Sequence, residues 1–188
     1  MSKKFSHNDR PPKMPVDLSH IRLAGEAEEM QIFNLISLMH AEVGLHALAW
    51  PKVAAMVRLA TQRVRGIIGT IGEPHDIRAA IFMSIEPAFW YSDSFVLQEH
   101  FNYVRPDARR STFATDLLAY GRQCADELGI DFVCGVLSTE RTEAKCRLYR
   151  RVMPKIGEYY QYRPEKKPRN DDLLHLSRTP AANRVAAE

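Results

Sequence analysis

Apolar positions along this chain follow two periods, one near two residues and one near 3.6, and the two alternate from end to end. Ile21 to Ala24 reads as a short first strand. Met30, Phe33, Ile36 and Leu38 to Val43 recur at helical spacing behind Glu26, Glu28 and Glu29, acidic residues that suit a helix N-terminus. Pro51 to Arg63 predicts a second helix, with proline in its first turn and Val53, Met56, Val57, Leu59 and Ala60 on the inner face. Gly66 to Gly72 and Ile77 to Ile85 predict two strands joined by the turn Glu73-Pro74-His75-Asp76. An aromatic loop, Ala88 to Asp93, leads into a strand from Phe95 to Val104. A long helix from Phe113 to Leu128 stops at Gly129, because glycine accepts the left-handed conformation that closes a helix. Asp131 to Leu137 reads as a strand buried on both faces, Thr142 to Met153 as a helix, and Ile156 to Tyr162 as a last aromatic strand.

Length and composition fit one domain between two polar ends. The 188 residues divide into an arm over 1–15, a folded domain over 16–163 and a tail over 164–188. Both ends mix charge with proline, and the patch Leu173 to Leu176 offers a docking point on the domain, a second subunit or an assembly partner. Hydrophobic residues make up 45% and charged residues 26%, the balance of a soluble globular protein. No run approaches the ~20 apolar residues of a membrane span, and the basic start has no apolar stretch behind it to make a secretory signal. Cys124, Cys134 and Cys146 are an odd number without a Cys-x-x-Cys pair, which reads as reduced thiols in a cytoplasmic protein. His40 and His46 lack metal-ligand spacing, so no metal is expected. A net charge of +3, with aromatics not interleaved among the basic residues, argues against a nucleic-acid partner.

The most informative segment is Val104-Arg105-Pro106-Asp107-Ala108-Arg109-Arg110-Ser111-Thr112-Phe113-Ala114. It joins a strand to a helix by a basic turn. The first N–H groups of a helix have no intrahelical partner, and the dipole puts positive potential there. Arg109 and Arg110 add charge, and the Ser111 and Thr112 hydroxyls add donors, a chemistry suited to pyrophosphate.

This segment resembles the acyl-CoA-binding signature of the GNAT acetyltransferase superfamily, a valine, any residue, a proline, then Arg/Gln-x-x-Gly-x-Gly/Ala. Val104, Pro106, Arg109 and Ala114 match it. Thr112 stands where the middle glycine is expected, a departure because glycine lets backbone and ligand approach closely. The order strand, helix, helix, three strands, helix, strand, helix, strand also resembles the family over Ile21 to Tyr162, and the Trp-Tyr loop with the Arg-rich turn is similar to divergent members carried by tailed bacteriophages. The resemblance implies an α/β (α+β) fold: a mixed, mostly antiparallel central sheet, helices on both faces, and a splay between strands four and five. It implies acetyl-CoA as co-substrate and direct transfer of acetyl to a primary amine in a ternary complex. Asn102, Tyr103 and Val104 would line the pantetheine arm through their backbone, and Arg109 to Ala114 would hold the phosphates. The alternative is a GNAT scaffold without catalysis, serving as a binding or structural module.

Acetyl transfer needs a base for the amine and a proton for the departing sulfur. Strict alternation on the fourth strand would put Gln98, His100, Asn102 and Val104 on one face, and Leu97, Glu99, Phe101 and Tyr103 on the other. By the resemblance, Gln98 stands where some members carry a catalytic glutamate and His100 where others carry a catalytic histidine. Glutamine is no base, so His100 is the first candidate; Glu99 takes its place if the strand is bulged, and Glu86 is a further one. Leu148-Tyr149 match the family's Leu-Tyr pair, which makes Tyr149 the candidate acid for sulfur. Phe89, Trp90 and Tyr91 either line the acceptor site or plug a gap between elements.

Overall fold

The computed structural model describes residues 17–44, 46–136, 142–157 and 160–161. The chain forms two compact units, Met1–Lys155 and Ile156–Glu188. In the second, the described residues Ile156, Gly157, Tyr160 and Gln161 are exposed and belong to no strand. The rest of the expected last strand, the arm up to residue 16 and the tail from 162 lie outside the described residues.

In the first unit the elements are β1 (Ile21–Leu23), α1 (Glu29–Val43), α2 (Trp50–Thr61), β2 (Gly66–Glu73), β3 (Asp76–Pro87), β4 (Phe95–Val104), α3 (Phe113–Leu128), β5 (Asp131–Val133) and α4 (Thr142–Val152). Among the described residues these five strands form one sheet in sequence order, antiparallel from β1 to β4 and parallel between β4 and β5. Helices cover both faces. On one, α1 and α2 bury Ile32, Leu35, Ile36, Val57 and Ala60 against Ile68, Ala80, Phe82, Phe101 and Tyr103. On the other, Leu117, Cys124 and Ala125 of α3 pack on Ile71, Ala79, Ile81, Met83 and Leu97. Gly121 lets α3 come this close, since a Cβ there would lie 2.4 Å from the Phe132 ring.

The β2–β3 hairpin turns at Pro74-His75. Gly72 (φ 108°) sits beside a register shift and has no room for a Cβ, which would fall 2.4 Å from the Asp76 carbonyl oxygen. The sheet departs from expectation at its parallel edge. Strand β5 is only three residues, Asp131 is exposed, and Phe132 and Val133 are half-buried, so it is not a strand buried on both faces. Its pairing with β4 ends at Gln98–Val133, which leaves Glu99–Val104 without a β5 neighbour among the described residues.

Candidate active site

A bulge in β4 builds the site. Phe82 pairs with Phe101 and Met83 with Glu99, so His100 is the extra residue that β3 does not match. An extra residue reverses the side-chain alternation beyond it. Glu99 and Asn102 therefore share the face of α3 and α4, while His100 joins Phe101 and Tyr103 on the face of α1 and α2. The expected grouping of Gln98, His100, Asn102 and Val104 is corrected accordingly: strict alternation does not survive the bulge.

On the α4 face, Tyr149 donates its phenolic hydrogen to Glu99 at 2.8 Å (Oε1) and 3.0 Å (Oε2). Glu99 is 7% exposed. Burial raises its pKa above the ordinary carboxylate value, against hydrogen bonds from Tyr149 and Cys134 that lower it. Burial also holds the Tyr149 phenol well above its usual value, and the nearby Glu99 charge adds to this. The Cys134 thiol is pushed up by burial and by Glu99, so it stays protonated and is a hydrogen-bond donor rather than a nucleophile. Asn102 completes the cluster. Its Nδ2 donates to the Ala114 carbonyl at 3.0 Å in the first turn of α3, and its side chain also hydrogen-bonds Tyr149. Its buried Oδ1 has no partner.

His100 stands across the sheet from this cluster. Its Nε2 lies 2.6 Å from Ser84 Oγ, its ring packs 4.5 Å from that of Phe82, and burial depresses its pKa. It does not share a cleft with Tyr149. Glu86, the further candidate base, accepts hydrogen bonds from Ser84 Oγ and Arg65 Nη2, both 2.6 Å.

The basic turn leads into α3 at Phe113, and its side chains are mostly engaged within the protein. Arg109 does not point its charge outward: Nη2 pairs with the Glu42 carboxylate of α1, Nε donates to the Val104 carbonyl at 3.1 Å, and the guanidinium lies 5.6 Å from the Tyr103 ring centre. Tyr103 donates its hydroxyl to the same Glu42 at 2.6 Å. Thr112 donates to Asp116 at 2.7 Å and Ser111 to the Ala108 carbonyl at 2.6 Å. The amides of Thr112 and Ala114 have no hydrogen-bond partner among the described residues, and Arg110 is exposed. In the aromatic loop Phe89 and Tyr91 stack at 5.3 Å, while Trp90 is 96% exposed and plugs no gap. Among the described residues no helix is long and apolar enough to cross a membrane, and no three His, Cys, Asp or Glu residues are grouped to hold a metal.

Sequence reasoning did not find Cys134, the Asn102 side chain or the Glu42 partner of Arg109. All three depend on contacts between distant segments. The one available signal was Glu42 itself, an acid in the last turn of α1, where the helix dipole disfavours it unless a cation is near.

The splay beyond Gln98, the α3 N-terminus at the end of β4 and the helices on both faces decide the architecture. This chain has the GNAT acetyltransferase fold. No protein-family model and no curated protein matches its sequence. Solved structures match its fold. A possible acetyltransferase from Clostridium difficile 630 superposes with a TM-score of 0.59 at 19% identity, over 79% of this chain and 97% of the other. The ribosomal-protein-alanine N-acetyltransferase of Brucella melitensis biovar Abortus 2308 gives 0.57 at 13%, over 78% and 98%. The aminoglycoside antibiotic 6'-N-acetyltransferase of Acinetobacter haemolyticus gives 0.56 at 17%, over 79% and 99%.

Proposed function

We propose that this GNAT-fold protein is an N-acetyltransferase that moves acetyl from acetyl-CoA directly to a primary amine, with Glu99 and Tyr149 handling the protons. The observation that carries the reading is the hydrogen bond from Tyr149 to a buried Glu99, beside the point where β4 and β5 part. The named acetyltransferases of the same fold act on an aminoglycoside and on a ribosomal protein's alanine, and both are amine acceptors.

The residues present fit acetyl-CoA. The two unpartnered amides at Thr112 and Ala114, the dipole of the 16-residue α3 and exposed Arg110 would hold the phosphates. The orphaned Asn102 Oδ1 needs a donor beside the first turn of that helix, and an amide N–H of the bound molecule supplies one. Acetyl-CoA, once bound, brings the acetyl group as a thioester.

In this reading Glu99 takes a proton from the attacking amine nitrogen. Its raised pKa makes it a stronger base than a surface carboxylate. Tyr149 gives its hydroxyl proton to the departing sulfur. A phenol with so high a pKa is a weak acid, and the 2.8 Å bond to Glu99 removes the difficulty, because protonated Glu99 returns a proton to the phenolic oxygen as it leaves. One proton thus travels from nitrogen to sulfur with both residues restored. Thiolate attack by Cys134 is not needed.

The test is single-turnover transfer of labelled acetyl to a panel of primary amines, with CoA thiol release followed in parallel. Stoichiometric amide and thiol are expected. Calorimetric binding of acetyl-CoA without transfer to any amine would favour the silent scaffold.

A further inference from the structure

Two arginines stand side by side in the turn between β4 and α3, in different surroundings. Arg110 is exposed, with no side-chain hydrogen bond or ion pair among the described residues. Arg109 is half-buried and engaged on three sides. Its Nη2 donates to Glu42 Oε1 at 2.6 Å and to Oε2 of the same carboxylate, its Nε donates to the Val104 carbonyl at 3.1 Å, and its guanidinium lies 5.6 Å from the Tyr103 ring centre. Tyr103, only 4% exposed, donates its hydroxyl to Glu42 Oε1 at 2.6 Å. Burial, and then the Glu42 carboxylate, hold this phenol far above its ordinary pKa, so it remains a donor.

The array clamps the middle of the turn. The beginning is tied by Arg105, which pairs with Asp76 at the β2–β3 hairpin and with Asp107. The end is tied by Asn102, which donates to the Ala114 carbonyl at 3.0 Å. Between these points Arg109 makes the side-chain hydrogen bonds that reach back to α1 and β4. The Ser111 amide donates to the Ala108 carbonyl at 3.2 Å, so the position of Arg109 sets that of the residues just after it. Thr112, three residues on, carries the first of the two amides left without a partner among the described residues.

Electrostatics assign Arg109 to shape and Arg110 to charge. Glu42 neutralises Arg109, so the pair offers a phosphate no net charge. Glu42 also stands in the last turn of α1, at the negative end of the helix dipole. Drawing Arg109 away to a phosphate would take the cation from that carboxylate.

We propose that Glu42, with Tyr103, is a positioning residue for the phosphates of acetyl-CoA: it holds Arg109 so that the Thr112 and Ala114 amides stand ready, and Arg109 stays on Glu42 in the complex. The inference rests on the acetyltransferase reading for the identity of the ligand. Glu42 lies 67 positions before Arg109, outside the segment that carries the family resemblance.

The experiment is ¹⁵N NMR titration of the full chain with acetyl-CoA and with S-acetylpantetheine, which lacks the phosphates. The Thr112 and Ala114 amides report the phosphates, and the Asn102 side-chain amide reports the pantetheine arm. Glu42→Ala removes a negative charge near an anion site, so electrostatics alone would tighten acetyl-CoA. The clamp predicts the opposite sign, a loss of about 3- to 10-fold, the worth of a pre-organised hydrogen bond, with S-acetylpantetheine affinity unchanged. Glu42→Gln keeps one acceptor oxygen and should recover part of the loss. Adding Arg109→Ala to Glu42→Ala should cost no further affinity. Arg110→Ala should weaken acetyl-CoA most at low salt, as expected of an exposed charge. Tighter acetyl-CoA binding by Glu42→Ala, an equal loss for both ligands, or an Arg109→Ala loss undiminished by Glu42→Ala would overturn the proposal. These signs in a protein that transfers no acetyl would sink the enzymatic reading and leave the clamp standing. Acetyl transfer at limiting acetyl-CoA that Glu42→Ala leaves unimpaired would do the reverse.

Discussion

Glu99 and His100 are neighbours in the chain and opposites in surroundings. Glu99 is buried against Tyr149 and Cys134 under α4, whereas His100 sits at the α2 face on a Ser84–Glu86 bridge. Burial moves their pKa values in contrary directions, the carboxyl up and the imidazole down. The cause is one: a low-dielectric site disfavours the charged form, which is the deprotonated acid but the protonated base. The carboxyl thus moves up toward neutral pH and the imidazole down away from it, and a single extra residue in β4 puts the two groups on opposite faces. The comparison teaches that a bulge can turn one strand position into two chemically distinct sites.

The comparison breaks most visibly at Glu99. Glu99→Gln keeps the shape and removes the base, so single-turnover acetyl transfer should fall ~10²–10⁴-fold with acetyl-CoA affinity nearly unchanged. A fall in affinity alone would return Glu99 to a structural role. Tyr149→Phe should slow the same step by about 10²-fold, and it should raise the Glu99 pKa further by removing a hydrogen bond that now lowers it. Carboxyl titration by ¹³C NMR reads that second effect directly.

Gly121→Ala disturbs one side of the bulge only. Its Cβ would strike Phe132 of β5, so the native fold should lose about 1–3 kcal/mol in denaturant unfolding, with resonances at the β4–β5 edge moving and Ser84 staying put. The pH dependence of stability gives the smallest and most discriminating contrast. The native state holds Glu99's proton more tightly than the unfolded chain, so this group's contribution is present at low pH and declines as pH rises from the ordinary carboxylate value through the raised one. The native state releases His100's proton more readily, so that contribution grows as pH rises through the depressed value toward ~6.5. Glu99→Gln should flatten the first slope and His100→Gln the second, by chemical denaturation across pH. One variant flattening both would mean that the two groups titrate as a unit.

Much of the scaffold was legible in the sequence because its signals are local. Phe113 to Leu128, with its Gly129 stop, appears as read, since apolar spacing and a glycine with φ 68° act within a few residues. The turn between β2 and β3 was equally plain at Glu73-Pro74-His75-Asp76. The bulge was not. Nothing around His100 is a glycine or proline; the extra residue exists because Phe82 and Met83 of β3 fix the pairing on either side. Only the conditional choice of Glu99 over His100 was available beforehand. The Arg109–Glu42 pair was not legible for a similar reason, because the two residues lie 67 positions apart.

The most direct measurement is a double-mutant cycle on the single-turnover acetyl-transfer rate with Glu99→Gln, Tyr149→Phe and both together. If one proton passes from nitrogen to sulfur through the pair, removing either residue breaks the same relay, and the double variant should be no slower than the slower single variant within about threefold. Losses that multiply would mean that Glu99 and Tyr149 act independently, and would contradict the coupled pair at the centre of the site.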